Sequence, residues 1–306
     1  EEAPGVTESV PMDPLRCFLF VPADSERKRA KAEGIAADAL ILDLEDSVNQ
    51  ENLPKAREMT RDYLAASRGK ARPQSLWVRI NPLDTEFSLP DLAAIMPGAP
   101  DGIILPKTYS AAEAIKLDHM LSALEAREEI ELGRTKILVV ATETARSLFT
   151  LDSFVGASPR IYGMTWGAED LAAALGAFTN RAESGAYEDV YRLARTLCLA
   201  ACKAGEMEPV DSVYPNFRDL DGLYKEALQG RKTGFTGKVA IHPDQVDVIN
   251  SAFAPTEEEI AFAKRVIAAF DAVGGSGTVG LDGKMIDMPH LKQARTVLAM
   301  AERAAG

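Results

Sequence analysis

The chain has 306 residues, of which 46% are hydrophobic and 26% charged, values typical of a globular protein with a sizeable core. Its net charge of -12 argues against a nucleic-acid-binding surface, which requires a broad basic field, but allows a local basic pocket. Three cysteines without metal-site spacing predict a reducing, cytoplasmic location. We identify no signal peptide and no apolar stretch of membrane-spanning length, so we expect no membrane partner.

The chain begins with an acidic, proline-rich segment, residues 1–14, which predicts a disordered leader. Short apolar runs then alternate with helical stretches of roughly 10 to 20 residues, the pattern of repeated βα units. The predicted strands are Cys17–Val21, Ala39–Leu44, Leu76–Ile80, Gly102–Leu105, Ile137–Ala141, Ile161–Trp166, Val210–Tyr214 and Lys238–Ile241. These units predict a TIM (β/α)8 barrel over residues 15–254. A doubly wound open sheet is the alternative, weakened because no glycine-rich phosphate turn follows the first strand.

Residues 255–306 predict a helical extension beyond the barrel. A helix is predicted over Thr256–Ala272, followed by a glycine-rich hinge at Gly274–Gly277. A turn over Leu281–Pro289 then leads into a last helix, His290–Ala305. The apolar residues of such an arm need a surface to pack against, and we expect a neighbouring subunit to provide it.

Two carboxylate clusters follow the fifth and sixth predicted strands, in the segments Thr142–Arg146 and Gly167–Leu171. The carboxyl ends of parallel strands meet on one face of such a fold, and that face carries the chemistry. Carboxylates without Cys or His beside them suit a hard cation such as Mg²⁺. Any one of these carboxylates could instead cap a helix. The set as a whole favours a metal site.

Further charged residues lie at the ends of the second, third and fourth strands. Arg79 sits between apolar residues, so its charge needs a partner: a salt bridge to Asp46, or a substrate. Lys107 either pairs within the ring of acids or contacts substrate. Strand alternation predicts Asp43 and Glu45 on one side and Asp46 on the other. We expect Glu45 and Asp46 to order metal-bound waters and pair with these cations rather than to be direct ligands.

Six short segments occur in a characteristic order: Arg16–Asp24, Leu42–Val48, Val78–Pro82, Ile104–Lys107, Glu143–Ala145 and Gly167–Leu171. Together they resemble the citrate lyase beta-chain-like enzymes of the HpcH/HpaI aldolase superfamily, which include malyl-CoA and citramalyl-CoA lyases. The resemblance implies a TIM barrel dependent on Mg²⁺, with Mn²⁺ as a substitute. It also implies cleavage or formation of a carbon–carbon bond between a small 2-oxoacid and an acyl-CoA, by a homotrimer or dimer of trimers.

The resemblance also implies roles for individual residues. Glu143 and Asp170 match the metal ligands, and Arg79 matches an arginine that contacts substrate and stabilises the thioester enolate. Asp287 matches an aspartate that reaches into the adjacent subunit's site as the acid/base group. The alternative for Asp287 is a cap on the last helix, because Met288 and Pro289 follow it.

Cations near the first strand are candidates for binding the substrate and the CoA phosphates. Arg16 opens that strand, and Arg27, Lys28, Arg29 and Lys31 follow its end. A solvated helix face explains most of the latter run.

Three other functions compete with the acyl-CoA lyase. The chain could be a citrate lyase beta subunit acting on a citryl-acyl-carrier-protein thioester, or a malyl-CoA thioesterase, which needs only a positioned water. A non-catalytic scaffold is disfavoured, because a scaffold has no need to keep Glu143, Asp170, Arg79 and Asp287.

Overall fold

Eight parallel strands close into a barrel in the order in which they occur along the chain. The computed structural model describes residues 12–274 and 277–305. The strands are β1 (Cys17–Pro22), β2 (Ala39–Asp43), β3 (Ser75–Arg79), β4 (Gly102–Leu105), β5 (Lys136–Val140), β6 (Ile161–Thr165), β7 (Glu208–Asp211) and β8 (Gly237–Ala240). Because β1 pairs with β8, the predicted TIM barrel is confirmed and the open sheet is wrong.

Helices follow most of the strands, and two more belong to the C-terminal region. They are α1 (Glu26–Glu33), α2 (Leu53–Ser67), α3 (Ser88–Ile95), α4 (Ala111–Arg127), α5 (Ala168–Leu175), α6 (Asp189–Ala204), α7 (Leu220–Thr233), α8 (Val246–Phe253), α9 (Glu257–Asp271) and α10 (Met288–Ala305). The connection from β5 to β6 uses short 3₁₀ turns, Arg146–Phe149 and Leu151–Phe154. None of the described helices is both long and apolar enough to span a membrane.

Aromatic side chains fill the inside of the barrel. The ring of Trp77 makes edge contacts with Phe18 and Tyr162, at centroid distances of 5.7 and 5.5 Å. Gly102 makes room for this ring, because a Cβ atom there would lie 2.1 Å from Trp77. The interior is therefore a packed core.

The least accurate strand prediction is that of β7. The pattern predicted Val210–Tyr214, but the strand runs from Glu208 to Asp211. Pro209 lies within it, opposite Met164, and a proline cannot donate a hydrogen bond to the ladder, so the sequence pattern does not indicate a strand at that point.

The chain divides into two compact units between Ile249 and Asn250, a few residues before the predicted boundary at 254/255. The second unit has its own core, with Val266, Phe270, Ile286 and Leu291 buried. Residues 1–11 of the predicted leader, and residues 275 and 276 of the predicted hinge, lie outside the described residues.

The C-terminal unit contains a hairpin that the sequence analysis missed. Strands β9 (Val279–Leu281) and β10 (Lys284–Ile286) pair antiparallel across Asp282 and Gly283. Both turn residues have positive φ, 51° and 73°, as a type I′ turn requires. The helix predicted from Thr256 begins at Glu257, with Thr256 as its N-cap.

Candidate active site

A cavity of about 120 Å³ lies at the carboxyl ends of the strands. Arg79, Glu143 and Asp170 line it together with apolar residues of the barrel. A water molecule needs roughly 10–15 Å³ of such volume, so the cavity has room for several waters or a small acid. The structure thus brings together three of the residues that the sequence singled out.

Glu143 is a buried carboxylate just beyond β5. The backbone N–H of Lys107 donates to its Oε2 at 2.5 Å, and Gly167 leaves space for its side chain. Lys107 has a φ of 52°, a left-handed conformation that is uncommon outside glycine. Burial, with the nearby charges of Asp170 and Glu45, raises the pKa of Glu143 to about 8. Such a group favours either a proton or a cation beside it.

Asp170 lies in the first turn of α5, with about a third of its side chain exposed. The N-cap of this helix is Gly167, which makes no side-chain capping bond. Glu143 precedes only a 3₁₀ turn whose own N-cap is Ala145. Neither carboxylate is therefore an N-cap residue, although Asp170, in the first turn of α5, lies where a helix N-terminus favours negative charge.

Arg79 ends β3 and is held by carboxylates of the β2 end. Its Nε and Nη2 donate to the two oxygens of Asp43, at 2.7 and 2.8 Å. The third nitrogen, Nη1, lies 3.4 Å from Oδ2 of Asp46, the partner considered from the sequence, and 3.0 Å from Oε2 of Glu45. Strand alternation failed to separate these acids because β2 ends at Asp43.

The ammonium of Lys107 also lies among acids. Its Nζ contacts Glu45 Oε1, lies 3.2 Å from Asp46 Oδ1 and lies 3.7 Å from Asp170 Oδ1. Burial lowers the pKa of this ammonium, but the hydrogen bond to Glu45 and the surrounding carboxylates outweigh burial. The pKa is therefore raised above its ordinary value, and the group stays charged. Burial raises the pKa of Glu45 to about 7. Lys107 therefore pairs with acids, as the ion-pair alternative predicted.

The donor set fits a hard divalent cation. The carboxylates of the site outnumber the cations paired with them. The cations are Arg79 and Lys107, and the carboxylates are Asp43, Glu45, Asp46, Glu143 and Asp170. Buried Glu45 Oε2 accepts no hydrogen bond, although Arg79 Nη1 lies 3.0 Å from it. No cluster of three or more potential ligands occurs within residues 12–274 and 277–305. A pair of carboxylates still suits Mg²⁺, which usually keeps several waters.

A larger cavity of about 870 Å³ adjoins the acidic site. It shares Phe20, Arg79 and Val213 with the smaller one. Arg27, Lys28 and Lys31 of α1 line its wall. These cations provide the local basic pocket that the overall negative charge left open.

Arg16 is not part of this site, so its predicted role in substrate binding is wrong. It precedes β1 and therefore lies at the amino ends of the strands, opposite the cavities. Its guanidinium donates to both carboxylate oxygens of Asp38, at 3.1 and 2.8 Å. Arg29 stacks on Tyr63 instead of lining the larger cavity.

The sequence analysis did not single out His242, which lines the larger cavity. Its ring stacks on Phe217 with centroids 4.7 Å apart. The backbone N–H of Asp244 donates to its Nδ1 at 3.2 Å. The imidazole is therefore oriented by two neighbours that no motif indicated.

Asp287 lies in the C-terminal unit, directly before α10. Its carboxylate and its backbone N–H both contact Nδ1 of His290. About half of the Asp287 side chain is exposed, so it remains accessible in the single chain.

The protein is a closed parallel barrel with an all-oxygen acidic site beside a cation-lined cavity. Comparisons with known proteins assign it to a family of such barrels. Residues 16–243 match the family model for HpcH/HpaI aldolase/citrate lyase. The protein belongs to this family, and the resemblance found in the sequence is confirmed.

Relatives cover nearly the whole chain. A (3S)-malyl-CoA thioesterase of Cereibacter sphaeroides is 36% identical over 95% of this chain and 96% of its own length. A citrate lyase subunit beta-like protein of Mycobacterium tuberculosis is 36% identical over 94% and 96%. The crystal structure of CitE from the same organism, in complex with magnesium, acetoacetate and coenzyme A, is 37% identical with a TM-score of 0.78. That comparison covers 94% of this chain and 98% of the CitE chain.

Proposed function

We propose that this protein is a Mg²⁺-dependent lyase that cleaves, or in reverse forms, a carbon–carbon bond of a hydroxyacyl-CoA such as malyl-CoA or citramalyl-CoA. The products of cleavage are a small 2-oxoacid and an acyl-CoA. The observation that carries this proposal is the cavity lined by Glu143, Asp170 and Arg79, next to a larger cation-lined cavity. The magnesium and coenzyme A named for the CitE complex support it.

Glu143 and Asp170 would hold the metal ion. When bound, Mg²⁺ supplies Lewis acidity to the oxygens of the 2-oxoacid and to the substrate alkoxide. The chain's own contribution is to fix these carboxylates: the Lys107 amide orients Glu143, and the start of α5 places Asp170.

In the cleavage direction, the hydroxyl proton passes to a base and the electron pair of the broken bond becomes the enolate of the thioester. The enolate carbon then takes up a proton. Arg79, held rigid by Asp43, would face the developing negative charge on the thioester oxygen. Asp287 from a neighbouring subunit would exchange the protons as the acid/base group.

The CoA part of the substrate would occupy the larger cavity. Arg27, Lys28 and Lys31 offer charge for its phosphates. Glu45, Asp46 and Lys107 would contact the acid portion of the substrate or its waters, since they pair with Arg79 and Asp170, which line the smaller cavity.

We also propose a homotrimer or a dimer of trimers, because action of Asp287 in trans requires a neighbouring subunit. The exposed apolar side chains of the C-terminal unit, Met285, Met288 and Phe262, are compatible with burial in such an assembly. The three cysteines are free and buried, which supports the proposed reducing, cytoplasmic location.

A second candidate function is hydrolysis of malyl-CoA, favoured by the thioesterase relative. It would use the same carboxylates to position a water that attacks the thioester carbonyl carbon. The carbon–sulfur bond then breaks, and the leaving CoA thiolate takes up a proton from the water. A citrate lyase beta subunit is a further alternative, distinguished by its carrier-protein thioester.

Purified protein with Mg²⁺ should be incubated with malyl-CoA, citramalyl-CoA and citryl-acyl-carrier protein, and the products followed by mass spectrometry. Our proposal expects acyl-CoA and a 2-oxoacid from one of the CoA substrates. Free hydroxyacid and CoA, without carbon–carbon cleavage, would establish the thioesterase instead. Reaction of the carrier-protein substrate alone would establish the citrate lyase subunit.

A further inference from the structure

Lys107 contributes to the acidic site through two different groups. Its backbone N–H donates to Glu143, and its ammonium lies among Glu45, Asp46 and Asp170. The backbone adopts a positive φ, which costs free energy for a residue with a side chain. The amide alone could be supplied by a glycine at no such cost, so the ammonium needs its own explanation.

The ammonium sits where a metal ion would feel its charge. Nζ lies 3.7 Å from Asp170 Oδ1, an oxygen of one proposed metal ligand. Since Mg²⁺ lies about 2.0–2.1 Å from a carboxylate oxygen, a metal on that atom would lie within roughly 6 Å of this Nζ position. Two cations at that separation repel each other appreciably, even at an effective dielectric constant of about 20.

The same carboxylates would therefore serve two cations. In the metal-free protein the ammonium offsets part of the negative charge of Glu45, Asp46 and Asp170. Its side chain is one-third exposed, so the ammonium can move away from Asp170 to the open side of the site. A substrate carboxylate there would offer it a new partner.

We propose that Lys107 acts as an internal counter-ion that competes with the divalent metal at Asp170 and so lowers metal affinity in the absence of substrate. This inference rests on the proposed metal site at Glu143 and Asp170. It adds a residue that sets metal affinity without being a ligand. Its consequence is coupling: a substrate carboxylate that draws the ammonium away from Asp170 strengthens metal binding, and the metal strengthens substrate binding to the same extent.

The test is calorimetric titration of the metal-free protein with Mn²⁺, without substrate. Lys107→Met keeps the amide donor to Glu143 and removes only the charge, whereas Lys107→Arg keeps the charge. Lys116→Met is the matched control, because this exposed lysine lies on α4 and loses the same unit of net charge. We expect the Kd to fall by at least about threefold in Lys107→Met and by less than about twofold in the other two variants.

An unchanged or weakened affinity in Lys107→Met overturns the inference. An equal gain in Lys116→Met also overturns it, since the effect would then be one of net charge. If Lys107→Met does not fold, as judged by circular dichroism, Lys107→Gln carries the same expectation. Glu143→Ala separates the two proposals: if it binds Mn²⁺ as the parent does, the metal site itself is wrong. If it loses binding while Lys107→Met equals the parent, only the role of Lys107 is wrong.

Discussion

Asp43 and Arg79 occupy directly paired positions on β2 and β3, and their side chains meet through two parallel hydrogen bonds. The strand register thus places the guanidinium beside its carboxylate before any substrate arrives. Burial opposes charge on Asp43, but the hydrogen bonds and charge of Arg79 hold its pKa below the usual range. The pair stays ionised, and Nη1 remains directed toward Glu45 and Asp46.

Replacing Arg79 with lysine should slow turnover by about 10²–10³-fold, because an ammonium cannot keep the two-point contact with Asp43 while facing the substrate. Steady-state kinetics measures this change. The control is Arg160→Lys, which alters a comparable paired guanidinium before β6, at the amino end of the strand. It should lower stability but not turnover; equal kinetics of Arg79→Lys and the parent would leave Arg79 a structural ion-pair residue.

Removing Glu143 or Asp170 should abolish activity and Mn²⁺ binding while the fold persists, because each variant loses one of two proposed protein ligands. For Glu143→Ala we further expect a metal-free melting temperature no lower than that of the parent. The carboxylate is buried among like charges, and its removal relieves that repulsion. Glu169→Ala is the neighbouring control and should bind Mn²⁺ normally; full activity of Glu143→Ala at modest metal concentration contradicts the assignment.

Asp211 predicts how stability depends on pH. It is fully buried, which disfavours its charge, but Lys238 and Arg195 outweigh burial and lower its pKa well below the ordinary value. A depressed pKa means that the native state holds the proton less tightly than the unfolded chain. The stabilisation is therefore present above the unfolded pKa of about 3.9 and is lost as pH falls below it.

Asp211→Asn should lower the free energy of unfolding at pH 7 by about 3–5 kcal/mol, since Lys238 and Arg195 lose their buried counter-charge. Urea unfolding should show this deficit shrinking as the pH is lowered below about 4. Asp189→Asn, which breaks an exposed pair with Arg192, should cost less than about 1 kcal/mol. A deficit of constant size at all pH values would mean that the charge of Asp211 does not stabilise the fold.

Catalysis by Asp287 in trans predicts that two inactive variants restore activity when mixed. Glu143→Ala and Asp287→Ala each disable one part of the site, and a mixed oligomer contains some sites with both parts intact. Partial recovery after subunit exchange is the expected result. Exchange shown by labelled subunits without any recovery would make Asp287 a helix-start residue or a group acting in its own chain.

The fold was predictable because polar residues mark the end of each apolar run, and because few topologies are possible for successive βα units. Glu143, Asp170 and Arg79 were predictable as neighbours for the same reason. The error at Arg16 was avoidable, since a residue that opens a strand lies at the face opposite the site. Asp211 gave no such signal: its partners Arg195 and Lys238 are distant in sequence and meet it only in three dimensions.

Gly167 has consequences beyond its own position. A Cβ atom there would lie 2.7 Å from Cγ of Glu143, although the φ of Gly167, -115°, suits any residue. Glycine is therefore required by the neighbouring carboxylate and not by the backbone. We expect Gly167→Ala to displace Glu143 and weaken Mn²⁺ binding while leaving the strand intact. A single methyl group at a residue that is not a metal ligand would then weaken metal binding in the same way as a substitution of the ligand Glu143.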